Sequence, residues 1–358
     1  MNTFKSEQRT MKSRNTFISI MLMSGLLLLV NPSFAQDEQD VSSINRAGTT
    51  AAQFLKIGAG ARATGLGGAY TAIANDITSI YWNPAGLARS SGSGEAIFNH
   101  AEWLAETDYD FAAFSLKLQS LGSVGLSITS FRTPDDPVRT IQAPEGTGQT
   151  WNMSSISAGL TYARSLTDKF SIGFTAKFVQ EKLFNLTSRG GAFDIGILYN
   201  TPLENVTLGA TITNFGTKMR LEGRDLFFNN DPFNEDGSVD VVPAEYRTDD
   251  FEMPLNLKFG LAWQAVKNDQ YEVLATMDAN QPNDNIEYLN TGVEVGIKRT
   301  VFLRGGFKAL GLENSEQGPT FGVGINYNTV GGNFKFDFGW ADYGVLRNVK
   351  FVSFIVKY

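Results

Sequence analysis

The chain of 358 residues has no cysteine and a single histidine, His100. Without cysteine there is no thiol catalysis, no thiolate metal site, no disulfide and no cysteine-attached lipid anchor. One imidazole and no thiol leave only carboxylates to hold a metal, so neither a metal nor a cofactor is expected. Lysine and arginine are not in excess, and the formal net charge is −7. A phosphate-binding surface needs clustered cations, so nucleic acid is not an expected partner. Beyond residue 35 the chain also lacks any apolar run near the roughly 20 residues that a membrane-crossing helix requires.

These gaps leave little room for an enzyme. His100 has Ser91, Ser93 and Asp108 near it in sequence, but nothing places a nucleophile beside the ring. It reads as a packed or interfacial residue. Eight acids between Asp231 and Glu252 face one base, Arg247, and include Asp236 and Asp240 near Asn234 and Gly237. Their spacing does not follow a calcium-loop pattern, and a solvated acidic loop accounts for them.

What is present is aromatic and glycine-rich, with Gly 36, Phe 27, Tyr 11 and Trp 5. That composition suits many short strands. Residues 1–35 read as a secretory signal peptide. Lys5, Arg9, Lys12 and Arg14 precede the apolar stretch Phe17 to Val30, and Ser33-Phe34-Ala35 offers a cleavage site before Gln36.

From about Ser93 onward, apolar residues alternate with small or polar ones. Phe170, Ile172, Phe174, Ala176 and Phe178 alternate with Ser171, Gly173, Thr175 and Lys177; Phe334, Phe336, Phe338 and Trp340 alternate with Lys335, Asp337 and Gly339. Period two gives each strand one apolar face. Fourteen candidate strands follow, near 94–103, 107–119, 122–131, 152–163, 169–183, 189–199, 205–214, 255–266, 270–280, 286–298, 300–310, 318–327, 332–340 and 349–358. Most are long enough to cross a bilayer when tilted, and an even count suits a closed barrel. Links after even strands are short, whereas those after odd strands tend to be longer, up to the forty residues Phe215 to Pro254. Short turns at one end and long loops at the other characterise an outer-membrane barrel. The final Val352, Phe354, Val356 and Tyr358 suit a closing strand.

A soluble sandwich would also alternate. Its second face should be uniformly solvated. Here that face holds Lys177, Lys258, Glu294, Lys298, Arg304, Lys308, Lys335 and Asp337 among glycines and threonines, as a polar lumen would. The expected fold is therefore all-β, a transmembrane antiparallel barrel of about fourteen strands. Its expected parts are the signal peptide 1–35, a small helical or irregular plug 36–93 and the barrel 94–358 with a long outer loop 215–254. Export to the cell outer membrane follows, with lipid against the apolar face.

The segment before the barrel is rich in alanine and glycine. Gly58-x-Gly60-x-x-Ala63 with Asp76 loosely matches a dinucleotide fingerprint, but the βαβ unit it requires is missing. Glycines there suit tight packing inside a barrel. Gly58 to Ala88 contains Ala-Arg-Ala-Thr-Gly-Leu-Gly-Gly-Ala-Tyr and Tyr-Trp-Asn-Pro-Ala-Gly-Leu-Ala. This run of about thirty residues resembles the signature of the PorV/PorQ family, itself similar to FadL-type outer-membrane transporters. Gly58, Gly60, Arg62, Gly65, Gly67, Gly68 and the triplet Asn83, Pro84, Ala85 carry the likeness. The resemblance implies a fourteen-stranded barrel with an N-terminal hatch. It further implies a role in type IX secretion, holding secreted cargo proteins at the surface beside other secretion components. The alternative it implies is FadL-like passage of hydrophobic small molecules through the hatch and the barrel wall.

Overall fold

In the computed structural model, residues 46–230, 242–312 and 315–358 are described. The signal segment 1–35, the first ten residues of the expected plug (36–45) and the loop residues Asn234, Asp236, Gly237 and Asp240 lie outside them. Fourteen long strands form one antiparallel sheet. They are β1 Gly94–Glu102, β2 Asp108–Lys117, β3 Ser123–Arg132, β4 Met153–Ser165, β5 Phe170–Leu183, β6 Leu186–Asn200 and β7 Val206–Gly216, then β8 Asn256–Lys267, β9 Tyr271–Pro282, β10 Tyr288–Ile297, β11 Val301–Leu310, β12 Pro319–Thr329, β13 Gly332–Asp342 and β14 Asn348–Lys357. Each pairs with its neighbours in sequence, and β1 pairs with β14 in register from Glu95↔Lys357 to Glu102↔Lys350. The sheet is therefore a closed barrel with no free edge, as a backbone surrounded by lipid requires.

Strand bounds fall within a few residues of those read from the alternation. Two details differ. Phe215 and Gly216 extend β7, so the long loop begins at Thr217. Lys298 is not on a strand face but sits exposed in the tight turn between β10 and β11, where it adopts a positive φ of 51°. A three-residue turn needs left-handed backbone there, and that local demand ends the alternation.

The faces are inverted relative to a water-soluble sheet. Phe98, Leu126, Leu160, Phe259, Phe321 and Phe336 point outward, each more than half exposed. Asn99, Thr161, Asp194, Asp278 and Ser353 point inward and are buried. A continuous apolar belt of this size suits only an apolar solvent. Tyr162, Tyr199, Tyr271, Tyr327 and Tyr358 ring the end carrying the short turns, where amphipathic rings suit a membrane–water interface.

The ladder is interrupted at inward-facing bulges. Between β6 and β7 the register shifts after Phe193, Asn214 adopts φ 61°, and its N–H donates to Asp194 Oδ1 at 2.7 Å. Lys177 locks that bulge, reaching Asp194 at 2.6 Å and Asn214 at 2.8 Å. Between β10 and β11, Ala309 at φ 58° donates to Asn290 Oδ1 at 2.9 Å. In both, an inward amide or carboxylate accepts the N–H that the ladder leaves free.

At the loop end, the residues after β7 fold back on the barrel. Met219 bridges Phe251, and Met219 and Met253 are buried with Phe54 and Leu55 in one apolar cluster. Beyond that anchored base stands a two-stranded hairpin, Phe227–Asn230 with Val242–Glu245.

Candidate functional site

Residues 46–93 run through the lumen from loop end to turn end. At the top, Thr50, Gln53 and Lys56 converge on Asp284, with Lys56 Nζ 2.7 Å from its Oδ2. The Ala52 N–H donates to Glu181 Oε2 at 3.0 Å, and Ala51 N–H to the Glu252 carbonyl at 2.9 Å. The segment is thus tied at once to the wall and to the base of the long loop.

Below comes the glycine run. Gly58 and Gly60, with φ of 108° and 90°, lead into the one-turn helix Ala61–Gly65, whose first N–H donates to Ser353 Oγ at 2.7 Å. Gly65 lies against Gly322 of β12, and a Cβ on Gly65 would stand 2.9 Å from the Gly322 Cα. Gly67 (φ 66°) faces β11, where a Cβ would come within 2.6 Å of the Phe307 carbonyl oxygen. Gly68 (φ 75°) packs beside the Trp82 indole. The wall answers in kind. Added Cβ atoms at Gly292, Gly306 and Gly339 would collide with the backbone of Leu66, Gly67 and Ala61, and those at Gly209 and Gly260 with Thr71 and Ala72. Inner-face glycines therefore let two backbones touch without side chains between them.

Arg62 projects from the short helix into a carboxylate network. Its Nη2 and Nε reach Glu294 at 2.8 and 2.9 Å, a bidentate pair, and its Nη1 contacts Tyr70 Oη at 2.9 Å and Asp76 Oδ2 at 3.2 Å. Glu294 is shared with Arg304 at 2.6 Å, and Arg304 reaches Asp337 at 2.6 Å. Planar guanidinium groups suit such forks. Asp76 also accepts the Tyr70 hydroxyl at 2.8 Å and the Thr78 N–H at 3.0 Å. Asp278 meanwhile accepts the N–H groups of Tyr70 and Thr71, both at 2.9 Å.

The Asn83-Pro84-Ala85 triplet fixes the return of the chain. Asn83 Nδ2 donates to the Thr71 and Ile197 carbonyls at 2.8 and 3.0 Å, and its Oδ1 accepts the Ala85 N–H at 3.2 Å. Pro84 then opens the 3-10 turn Pro84–Arg89 with a fixed φ and no N–H to satisfy. Gly196 and Gly173 make room for Asn83 and Pro84 on the wall. Arg89 closes the segment, donating to Ser171, Asn200 and the carbonyls of Lys169 and Leu198.

All nine motif residues thus lie in one continuous lumenal path. The inward charges Glu294, Arg304 and Asp337 were legible from alternation, but their partners were not. Asp278 and Asp284 escaped notice; for Asp278 the signal was an acid at an inward position of its strand. Asp76, whose spacing fitted a ribose-binding acid, instead pairs with Arg62, and the glycines before it face an antiparallel wall. His100 points outward near the loop end and meets Asp110 at 2.8 Å rather than Asp108, while Ser91 and Ser93 precede the opposite end of the same strand. Among the described residues no cluster of three His, Cys, Asp or Glu side chains is placed to hold a metal.

A closed, lipid-faced barrel of fourteen strands with its lumen occupied by its own chain is an outer-membrane β-barrel. Residues 39–224 match the family described as type IX secretion system protein PorV, and the chain belongs to that family. Among curated proteins no relative matches. In solved structures the barrel is similar to the P. putida toluene transporter TodX, with 14% identity and a TM-score of 0.55 over 84% of this chain and 99% of that one. A second crystal structure of TodX from Pseudomonas putida gives 13% identity and 0.52 over 84% and 97%. A Pseudomonas aeruginosa FadL homologue gives 11% and 0.48 over 83% and 96%. At 13–14% identity the likeness to TodX is one of fold.

Proposed function

We propose that this barrel serves type IX secretion as a permanently closed platform, receiving secreted cargo or other secretion components at its loop end. The turn end then faces the periplasm. The observation that carries this reading is the way the lumen and the long loop are joined. The segment 46–57 is bonded to Asp284, Glu181 and Glu252 and shares an apolar cluster with Met219 and Met253. A barrel whose plug buttresses its largest loop is built to present that loop rather than to open. The hairpin it presents exposes Phe227 and Tyr246, with Tyr246 stacked on Phe228 at 4.3 Å between ring centroids, and exposed aromatics are common anchors of protein interfaces. In this reading Gly58, Gly60, Arg62, Gly65, Gly67, Gly68, Asn83, Pro84 and Ala85 act as a fixed closure.

Replacing 227–245 with a short Gly-Ser linker tests it. The variant should keep heat-modifiable gel migration while secreted proteins lose surface retention to the degree seen in a gene deletion. Unchanged surface proteins in both strains would refute the platform role. Passage of hydrophobic small molecules, the alternative that the likeness to a toluene transporter suggests, finds less support. The cavity at the turn end sets six arginine and lysine side chains and three carboxylates beside apolar ones such as Ile73, Leu274, Phe302 and Ile325.

A further inference from the structure

We infer that the cavity beneath the lumenal segment, at the turn end, binds an anionic group (a carboxylate or a phosphate) entering from that side. The cavity has a volume of about 480 Å³, and its cations are Arg62, Arg89, Lys267, Arg304, Lys335 and Lys357. Its acids are already committed. Glu294 is shared by Arg62 and Arg304, Asp337 is taken by Arg304, and Glu272 by Arg299 at 3.0 Å. Lys357 pairs with Glu95 at 2.6 Å. The acids facing Lys335 across the lumen, Asp76 and Glu95, are engaged as well, the first by Arg62, Tyr70 and Thr78, the second by Lys357, Ser90 and the Ile77 N–H.

Three of the cavity's cations make no ion pair among the described residues: Lys267, which is exposed at the end of β8, and the half-buried Lys335 and Arg89. Lys335, without such a pair, lines the cavity. Arg89 directs its donors to neutral oxygens of Ser171, Asn200, Lys169 and Leu198, so its charge is held in place but not neutralised. Within a barrel wall of low dielectric, an uncompensated cation is costly and a bound anion recovers that cost. Neutral donors stand beside Lys335. Asn326 is its cross-strand partner, and Ser91 and Asn333 join it in lining an adjoining cavity of about 540 Å³. Lys335 supplies an unpaired ammonium, Arg89 the fixed field, and the volume admits a small multivalent anion or the anionic end of a longer ligand.

Calorimetric titration of the folded barrel in detergent, with citrate and separately with pyrophosphate at constant ionic strength, tests this. At least one should saturate a single site; citrate alone assigns a carboxylate ligand, pyrophosphate alone a phosphate, and both a general multivalent-anion site. Lys335→Gln should weaken binding at least tenfold, and Lys298→Gln, altering the exposed turn lysine outside the cavity, should leave it unchanged. Asn326→Asp, which sets a carboxylate opposite Lys335, is the second variant and should weaken it similarly. Heat-modifiable migration verifies that each variant is folded. Failure of both anions to saturate, or wild-type affinity in folded Lys335→Gln and Asn326→Asp, would overturn the assignment.

Discussion

Arg62 ties the lumenal segment both to itself and to the wall. It faces two carboxylates and a phenol, and it is largely buried with Glu294. Arg62→Ala would leave Glu294 with Arg304 alone and strip Asp76 of its cation. The expected loss is about 3–5 kcal/mol, since removing one partner strands buried charge. Arg62→Lys should restore only part of it, because an ammonium cannot span both Glu294 oxygens. Urea unfolding of the detergent-solubilised barrel measures both, and an unchanged midpoint for Arg62→Ala would sink the account. The glycines make a second prediction. Gly306→Ala drives a methyl into the Gly67 backbone, whereas Gly305→Ala meets nothing within 4 Å. The first variant should unfold at clearly lower urea, the second close to wild type. Inward facing of Glu294 or Gly306 is readable from sequence because period two is a property of one strand. The contact between Arg62 and Glu294 is not, since 232 residues separate them and only barrel closure brings them together.

Elements divide in the same way. The strands and the sorting of short turns from long loops were legible because alternation and turn residues are local signals. The bulges at Asn214 and Ala309 were not, because they depend on which inward side chain stands opposite. Nor did the sequence disclose that Thr50, Gln53 and Lys56 would meet at Asp284, in the link between β9 and β10. Burial works to raise the Asp284 carboxyl, but hydrogen bonds from Gln53, Lys56 and Thr50 and the Lys56 charge prevail and lower it. A carboxyl depressed in the folded state stabilises above the ordinary value of about 3.9 and loses that contribution as pH falls through its own lower value. Protection of residues 46–57 from protease should therefore be flat from neutral pH to about pH 5 and fail only in stronger acid. Asp284→Asn should already be more susceptible at neutral pH. A wild-type transition near pH 6 would contradict the assignment.

For the whole molecule, closure of the sheet and filling of the lumen have separate signatures. The barrel should migrate differently on SDS gels before and after boiling. In planar bilayers the intact protein should pass little current, whereas a variant lacking residues 50–88 should conduct in large steps if it inserts, because the wall would then enclose an empty lumen. Large steady conductance from the intact chain would refute the closed platform. The amino-acid order by itself determined the fold class, the strand count, the face that meets lipid and the segment set apart from the wall, since each follows from periodicity or composition within a few tens of residues. Only the tertiary structure decided which charges pair across the lumen, where glycine meets glycine, and which lysine and arginine stay without a counter-ion above the turn end. Those outcomes depend on closure and on the path of a segment more than two hundred residues away from its partners, and no local pattern encodes that geometry.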